Sequence, residues 1–249
     1  TIFSDSTYTP EQLVEAAEKA GLSCIALVDH DTVKGIKPLI QAAKSKNIEV
    51  VPGIELSAEY RGQEIHILGY FIDYNNKRLI KKLRVLRANR IARIRKITRK
   101  LKGIGIDLKP RAVFAMAAGG TVGRMHVALA MVKEGLVKST AEAFTRFIGD
   151  KGPACVLDFK LYPSEAISLI RGAGGIPVLA HTYLIKQEDL MREIINKGIM
   201  GLEVYYPQHS KAMVKAYLKL AGEYNLLVTG GSDCHGMAKP LVKIGSVKI

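Results

Sequence analysis

Four of the six histidines in this 249-residue chain, together with several carboxylates, fall where short apolar runs stop or within one of them. Such runs predict buried strands, and the polar residues that follow strands of an α/β barrel gather at one face. Imidazole and carboxylate together suit divalent ions such as Zn²⁺, Mn²⁺ and Fe²⁺, and a carboxylate can bridge two of them. Two neighbouring ions can activate a water and polarise a phosphoryl oxygen, so these residues favour metal-assisted hydrolysis. The candidates are Asp29, His30, Asp31, Glu55, His66, His181, Asp233 and His235.

Each candidate also has a structural interpretation when it is taken singly. Asp29 or Asp31 could cap the following helix, and Gly230 and Gly231 could form a turn. A lone histidine is more often a satisfied core residue than a ligand. Four histidines and at least three carboxylates at predicted strand ends are much harder to explain in this way, and we therefore expect a metal centre.

The segments that must position these residues alternate between strands and helices. Residues 24–28 form a continuous apolar run, which is typical of a strand buried on both faces. This alternation predicts an α/β protein with a mostly parallel sheet or barrel. Seven strands are predicted, over residues 24–28, 49–51, 65–71, 154–156, 176–180, 201–204 and 226–229.

The positive charge is concentrated in one part of the chain. The net charge is +14, but residues 77–151 hold 20 Lys and Arg against four acids, a net of +16. Between Lys77 and Lys102 there are 13 basic residues and no acid. Apolar residues recur there at three- and four-residue steps, which predicts one long amphipathic helix. A basic block of this kind usually faces a polyanion, although a solvated helix face is the alternative.

This charge pattern coincides with a change of structure, because residues 77–151 contain several helical stretches and no convincing strand. The predicted organisation is therefore an α/β body over residues 1–76 and 152–249, interrupted by a helical insertion over residues 77–151.

Composition excludes several classes of protein. With 48% hydrophobic and 24% charged residues, the chain is neither disordered nor collagen-like. No run approaches the ~18 apolar residues of a membrane span, and residues 1–5 do not resemble a signal peptide. The three cysteines are odd in number and far apart, which indicates a reducing compartment. We expect a soluble, cytoplasmic protein without an obligate protein partner.

Several motifs, taken in order, resemble those of the PHP (polymerase and histidinol phosphatase) family of metal-dependent phosphoesterases. The resemblance covers nearly the whole chain and is strongest to bacterial 5′→3′ exoribonucleases and nucleoside 3′,5′-bisphosphate phosphatases. It rests on Phe3-Ser4-Asp5, Pro10-Glu11-Gln12-Leu13, Asp29-His30-Asp31, Gly53-Ile54-Glu55, Glu64-Ile65-His66-Ile67-Leu68-Gly69-Tyr70, Gly123-Arg124-Met125-His126 and Ser232-Asp233-Cys234-His235-Gly236.

The resemblance implies a distorted (β/α)7 TIM-like barrel, with an inserted all-helical basic subdomain and two or three divalent ions (Mn, Fe or Zn). It implies that Glu55 bridges two ions and that Asp233 binds the first of them. By the same analogy, His66 and His181 bind the second ion. The third ion is assigned to Asp5, His30 and His235.

The resemblance also implies a reaction and its participants. A metal-activated hydroxide is expected to attack the phosphorus of a nucleotide or short RNA ester. Arg124 is the candidate substrate-binding and catalytic phosphate clamp, because a guanidinium can hold two phosphate oxygens, although it could also be an ordinary surface arginine. Asp31 is expected to orient His30 or a metal-bound water. The basic helix would gather RNA over the site.

The chain departs from the family pattern at its start. Family members carry a His-x-His pair just before the residue that matches Thr1, so either a longer protein supplies this pair or the protein lacks the first ion. The unbroken motif over residues 1–5 favours a longer protein. Two other functions stay open: a catalytically impaired PHP-like nucleic-acid-binding module, and a metal hydrolase acting on a non-phosphate bond.

Overall fold

Six strands form one curled, half-barrel sheet in the computed structural model, which describes residues 1–157 and 161–247. Neighbouring strands in space follow chain order, and the first, fourth and fifth of the five pairs are parallel while the second and third are antiparallel. The predicted mixed α/β class is therefore confirmed. The strands are β1 (Cys24–Leu27), β2 (Glu49–Tyr60), β3 (Gln63–Tyr70), β4 (Ile176–Leu179), β5 (Gly201–Tyr205) and β6 (Leu227–Gly230).

Nine α-helices lie within the described residues. Helix α1 begins at Pro10 as predicted, because the Thr9 side chain accepts a hydrogen bond from the Gln12 backbone amide and Gln12 caps Thr9 in return. The long basic helix α3 ends one residue later than predicted. The helices are α1 (Pro10–Lys19), α2 (Ile36–Ala43), α3 (Lys77–Gly103), α4 (Pro110–Met116), α5 (Arg124–Lys133), α6 (Thr140–Ala143), α7 (Pro163–Gly172), α8 (Glu188–Ile195) and α9 (Lys211–Glu223).

Strand β2 is longer than predicted and forms a hairpin with β3. It continues past residue 51 to Tyr60, and the chain reverses at Arg61 and Gly62, whose φ angles are 49° and 72°. Two consecutive residues with positive φ make the tight turn that joins antiparallel strands. The predicted strand–helix–strand unit over β1, α2 and β2 is confirmed, with β1 and β2 parallel. The extension of β2 was not predicted, and Glu55 consequently lies within a strand rather than after one.

The predicted strand over residues 154–156 is absent. The carbonyl oxygens of Cys155 and Val156 accept hydrogen bonds from Lys100 Nζ and Arg93 Nε, at 2.7 and 2.6 Å. Side chains of α3 therefore satisfy backbone groups that a neighbouring strand would otherwise pair.

Strand β1 is not buried on both faces as predicted. It is an outer strand of the described sheet, so Cys24 and Ala26 are exposed while Ile25 and Leu27 are buried. The cysteine prediction agrees with the structure in one respect: Cys24, Cys155 and Cys234 are all free thiols.

Two large apolar clusters, and a small one of Leu68, Val178 and Ala180, hold the described part of the fold together. The larger one lies between the sheet and its helices, where Gly69 lets Ile170 of α7 approach β3 closely. A Cβ at Gly69 would lie 2.9 Å from Ile170 Cγ1. The buried members of the second cluster all fall within residues 94–154 and include Ile97, Leu101 and Met131. None of the helices in the described ranges combines the length and apolarity that a membrane crossing requires.

Candidate metal centre and phosphate site

Three predicted ligands from three parts of the chain meet at one end of the sheet. Asp5 lies in the first loop, His30 follows β1 and His235 follows β6. His235 Nε2 is 3.3 Å from Asp5 Oδ1, and His30 Nε2 is 3.9 Å from Asp5 Oδ2. One donor atom from each residue lies within 4.8 Å of the other two, close enough for a single ion to be shared. The loop that carries Asp5 is fixed by Ser4 Oγ, which donates to buried Asp29 at 2.8 Å.

A second group is built on the β2–β3 hairpin and shares His30 with the first. Glu55 Oε1 lies 2.7 Å from His66 Nδ1, and Glu55 Oε2 lies 3.7 Å from His30 Nδ1. His181, which follows β4, places Nε2 3.2 Å from Glu55 Oε1 and 3.0 Å from His66 Nδ1. Glu55 is thus the carboxylate that contacts three histidines, which is the position a bridging ligand requires.

The donor set fits divalent metal ions. His30 Nδ1 is buried and has no hydrogen-bond partner within the described ranges. A buried polar atom without a partner is costly, and a neutral imidazole nitrogen facing a carboxylate is a good ligand for Mn, Fe or Zn. The residues that would hold such ions are Asp5, His30, Glu55, His66, His181, Asp233 and His235.

Two residues that the sequence analysis did not assign to the site bind the carboxylate of Asp233. Tyr206 donates its phenol hydroxyl to Asp233 Oδ2 at 2.9 Å, and Lys239 Nζ lies 2.7 Å from the same oxygen. The other oxygen, Oδ1, lies 3.4 Å from His235 Nδ1. Asp233 adopts a positive φ of 51°, as does Asp31 at 50° and His181 at 28°.

The electrostatics of the centre favour charged carboxylates. Burial raises the pKa of Glu55, but His30 and His66 outweigh burial and hold this pKa well below its usual range. Burial lowers the pKa of His66, yet the carboxylates of Glu55 and Glu64 raise it to about 10. Burial also lowers the pKa of His235, but the carboxylates of Asp5 and Asp233 outweigh burial and raise this pKa to about 9.

One buried carboxyl behaves in the opposite way. Burial, together with the charges of Asp233 and Glu55, raises the pKa of Glu203 to about 8, against a hydrogen bond from the His181 backbone amide. That amide donates to Glu203 Oε2 at 2.7 Å. Glu203 therefore fixes the backbone of His181 from a buried position that disfavours its charged form.

Arg124, the predicted phosphate clamp, reaches the centre from the N-terminus of α5. Its guanidinium pairs with Glu64 and, at 2.7 Å, with Asp150. Glu64 also lies 3.3 Å from Arg93 and 2.9 Å from His66 Nε2, so one carboxylate contacts two cations and a candidate ligand. The sequence prediction missed Glu64, although its place two residues before His66 on β3 puts both on one face of the strand.

Asp31 lies in a buried hydrogen-bond network with the long basic helix. Its carboxylate accepts hydrogen bonds from Arg90 Nε at 2.6 Å and from the Ser57 amide at 3.1 Å, and Arg90 Nη2 donates to Ser57 Oγ at 2.8 Å. Asp31 does not cap α2, which begins at Ile36 without a side-chain cap. This buried network ties α3 to the residue that follows His30.

Arg90 and Arg93 are exceptions on the basic helix. Both are buried, whereas most other basic side chains of α3 face solvent, including Lys81, Arg84 and Arg99. In the sequence, the 13 basic residues of this helix are indistinguishable from one another. In the structure, Arg90 and Arg93 line the cavity at the metal centre.

A cavity of about 400 Å³ joins these groups. All seven predicted ligands and Arg124 line it, together with Glu64, Arg90, Arg93 and Lys239. The structure therefore brings eight of the nine predicted site residues to one space, and Asp31 stands outside this lining.

Similar proteins are found by sequence. The profile of the PHP domain matches residues 1–229. A 5′-3′ exoribonuclease of Haemophilus influenzae is 32% identical over 237 residues, covering 93% of this chain and 86% of that relative. A phosphoribosyl 1,2-cyclic phosphate 1,2-diphosphodiesterase of Eggerthella lenta is 28% identical over 240 residues, covering 94% of this chain and 90% of the relative.

Structural similarity agrees with these matches. A solved structure from Bifidobacterium adolescentis, named as a metal-dependent phosphoesterase, gives a TM-score of 0.90 at 30% identity. The alignment covers 99% of this chain and 89% of that one. Profile, relatives and fold all coincide with a cavity rich in histidine and carboxylate, and the chain therefore belongs to the PHP domain family of metal-dependent phosphoric ester hydrolases.

Proposed function

We propose that the chain hydrolyses phosphate esters of nucleotides or short RNA, in the manner of a nucleoside 3′,5′-bisphosphate phosphatase or 5′→3′ exoribonuclease. The observation that carries this proposal is the single cavity that contains seven candidate ligands beside the guanidinium of Arg124. The exoribonuclease relative of Haemophilus influenzae supports RNA or its fragments as the substrate class.

The chain's own side chains have distinct tasks in this reaction. Two or three divalent ions, when bound, supply an activated water and polarise the phosphoryl oxygens. Glu55 lies between His30, His66 and His181 and holds the centre together. Arg124 exchanges its carboxylate partners for phosphate oxygens and neutralises the charge that grows on them. Asp31 positions His30 through the backbone that they share.

The helical segment supplies the route to the site. We propose that residues 77–151 form an inserted helical module on a distorted barrel, since the second apolar cluster falls almost wholly within that segment. Solvent-facing Lys and Arg of α3 gather RNA by releasing counterions from its phosphates. A cytoplasmic location fits the three free cysteines.

The test is phosphate release from a nucleoside 3′,5′-bisphosphate in the presence of Mn²⁺. Wild type is compared with Glu55→Gln, which replaces a charged bridge with a weaker neutral ligand, and with Glu49→Gln, an exposed residue on the same strand. Release by wild type and Glu49→Gln, but not by Glu55→Gln, supports the proposal. Release that is equal in all three contradicts it. If wild type releases none, the assay is repeated with the His-x-His pair restored before Thr1, and lack of release then contradicts the proposal.

A further inference from the structure

The cavity at the metal centre has a chemically mixed lining. Apolar and aromatic side chains lie among the ligands and cations described above; they come from the turn after β4 and from the helical segment. These are Met125, Phe144, Tyr183 and Leu184. A volume of about 400 Å³ falls in the range of small-molecule sites and exceeds what one phosphate group fills. The cavity therefore has room for more of a substrate than its phosphate group.

Tyr183 offers a flat surface that is already fixed in place. Its ring stacks on Tyr206, with centroids 5.6 Å apart and planes inclined by 29°, and it meets the edge of His209 at 5.6 Å. Tyr206 is itself tied to Asp233 through its hydroxyl. An aromatic ring held in this way loses little conformational entropy when a second flat group packs against it.

The helical segment contributes a second ring to the cavity. The guanidinium carbon of Arg124 lies 5.8 Å from the centre of the Phe144 ring, so the candidate phosphate clamp and an aromatic side chain are neighbours. A substrate that places its phosphate at Arg124 has its remaining atoms next to aromatic groups.

We propose that Tyr183 is the stacking platform for a nucleobase, which makes base-bearing phosphate esters the preferred substrates of this cavity. This inference rests on the proposed function, because it assigns the phosphate of the same molecule to the metal centre. Every base has a π-face, so stacking on Tyr183 gives affinity for nucleotides with little preference among bases. Phosphorylated sugars without a base lack this contact.

Binding of adenosine 5′-monophosphate and ribose 5-phosphate separates the contribution of the base, because both carry the same phosphorylated ribose. Dissociation constants are measured by calorimetry on the Mn²⁺-loaded protein with the methylene phosphonate analogue of each compound, so that neither ligand is turned over. We expect Tyr183→Leu to weaken adenosine 5′-monophosphate about tenfold, within the range reported for base–aromatic stacking, and to leave ribose 5-phosphate unchanged. Tyr183→Phe, which keeps the ring, retains wild-type affinity for both.

The matched control is Tyr162→Leu, which removes a tyrosine that is 67% exposed and does not line the cavity. An equal loss for both ligands in Tyr183→Leu, or no loss for either, overturns the inference. If Tyr183→Leu does not fold, the two ligands are compared in wild type and in Tyr183→Phe. Equal affinities of wild type for the two ligands overturn the inference. Tighter binding of the nucleotide by both proteins supports it.

Turnover measured with Mn²⁺ distinguishes this inference from the proposed function. Phosphate release from ribose 5-phosphate and the nucleotide at equal kcat/KM, unaffected by Tyr183→Leu, leaves the phosphoesterase intact and rejects the base platform. Selective nucleotide binding that depends on Tyr183, without release of phosphate from either compound or from the bisphosphate, keeps the platform and rejects the proposed function.

Discussion

The ring Nε2 of His66 lies 2.9 Å from Oε1 of Glu64, two residues earlier on the same strand. The other oxygen of Glu64 pairs with Arg124 and Arg93. One buried carboxylate therefore links a candidate metal ligand to the candidate phosphate clamp. A carboxylate behind a ligating histidine fixes the ring orientation and makes the other nitrogen a better donor.

Glu64→Gln is expected to weaken metal binding but to ease phosphate binding, because Arg124 loses a charged partner that competes with phosphate. The neutral amide still contacts His66 but no longer balances Arg124 and Arg93, and loss of such an outer contact typically lowers metal affinity about 10- to 100-fold. Calorimetric titration with Mn²⁺ measures the first effect and KM measures the second, with Glu49→Gln as the control. Unchanged affinity with unchanged KM would refute the link.

Arg90 is expected to matter for stability more than its exposed neighbours on α3. Arg90→Leu leaves the buried carboxylate of Asp31 without its cation, which costs about 3–5 kcal/mol in the free energy of unfolding. Arg84→Leu, on the solvent face of the same helix, is expected to change it by less than about 0.5 kcal/mol.

Urea denaturation of both arginine variants gives these free energies. The double variant with Asp31→Asn then isolates the pair: we expect a smaller total loss than the sum of the two single losses, since the second substitution removes the unpaired charge. Strict additivity would mean that Arg90 and Asp31 do not interact.

Metal binding is expected to release protons. In the metal-free protein the pKa of His66 is about 10 and that of His235 about 9, so both rings are charged at pH 7.5. A ligating imidazole is neutral, and each ring that binds an ion must lose its proton. Mn²⁺ affinity should rise as pH increases towards 9. Titration in two buffers of different ionisation enthalpy counts the protons, and a count of zero contradicts the assignment of these ligands.

The same shifts predict how stability of the metal-free protein varies with pH. A histidine whose pKa is raised from 6.5 stabilises the fold fully below pH 6.5, and this contribution disappears as pH rises through its folded value. The contribution of His66 and His235 should therefore fade between about pH 6.5 and 10. Urea midpoints measured across this range, with and without Mn²⁺, test it; a midpoint that rises with pH in the metal-free protein is the opposite result.

The exposed face of α3 is expected to control RNA affinity and its dependence on salt. Replacing Arg84, Arg95 and Arg99 by Gln removes three phosphate contacts, which should lower the slope of log K against log[salt] by about 2 for a single-stranded RNA. Hydrolysis of a mononucleotide should stay near the wild-type rate. Equal losses for RNA binding and mononucleotide hydrolysis would argue against a guiding role.

Helix α9 offers a matched control for this removal of charge. Lys211, Lys215 and Lys219 are exposed on α9, and their replacement by Gln removes the same charge from the molecule. If this variant loses as much RNA affinity as the α3 variant, the effect follows net charge and the location on α3 is irrelevant.

The clustering of the candidate ligands was predictable from the sequence because their signal is local. Polar residues that stop an apolar run, as His30 and His181 do, are visible without knowledge of the partner strands. The long helix was predictable for the same reason, since its apolar residues repeat along 27 consecutive positions.

Features that depend on tertiary contacts escaped prediction. Nothing in the run of basic residues distinguishes buried Arg90 from exposed Arg84, because the difference arises from a carboxylate 59 residues earlier in the chain. The apolar character of residues 154–156 predicted a strand, yet side chains of α3 donate hydrogen bonds to the carbonyl oxygens of Cys155 and Val156. Glu64 lies just before the predicted strand over residues 65–71, and only the approach of α5 reveals its contact with Arg124.

The backbone of the metal centre has a consequence for protein engineering. Asp31, His181 and Asp233 all adopt positive φ, a conformation that costs a residue with a Cβ roughly 1–2 kcal/mol and glycine almost nothing. Glycine at Asp31 or Asp233 would relax the local chain but leave the buried cation of Arg90 or the partly buried cation of Lys239 without its carboxylate, which costs more than the strain relieved. His181 differs, because its backbone amide, which glycine retains, makes the hydrogen bond to Glu203. A screen for heat resistance alone therefore puts this candidate ligand at risk, and a simultaneous demand for turnover is needed to keep it.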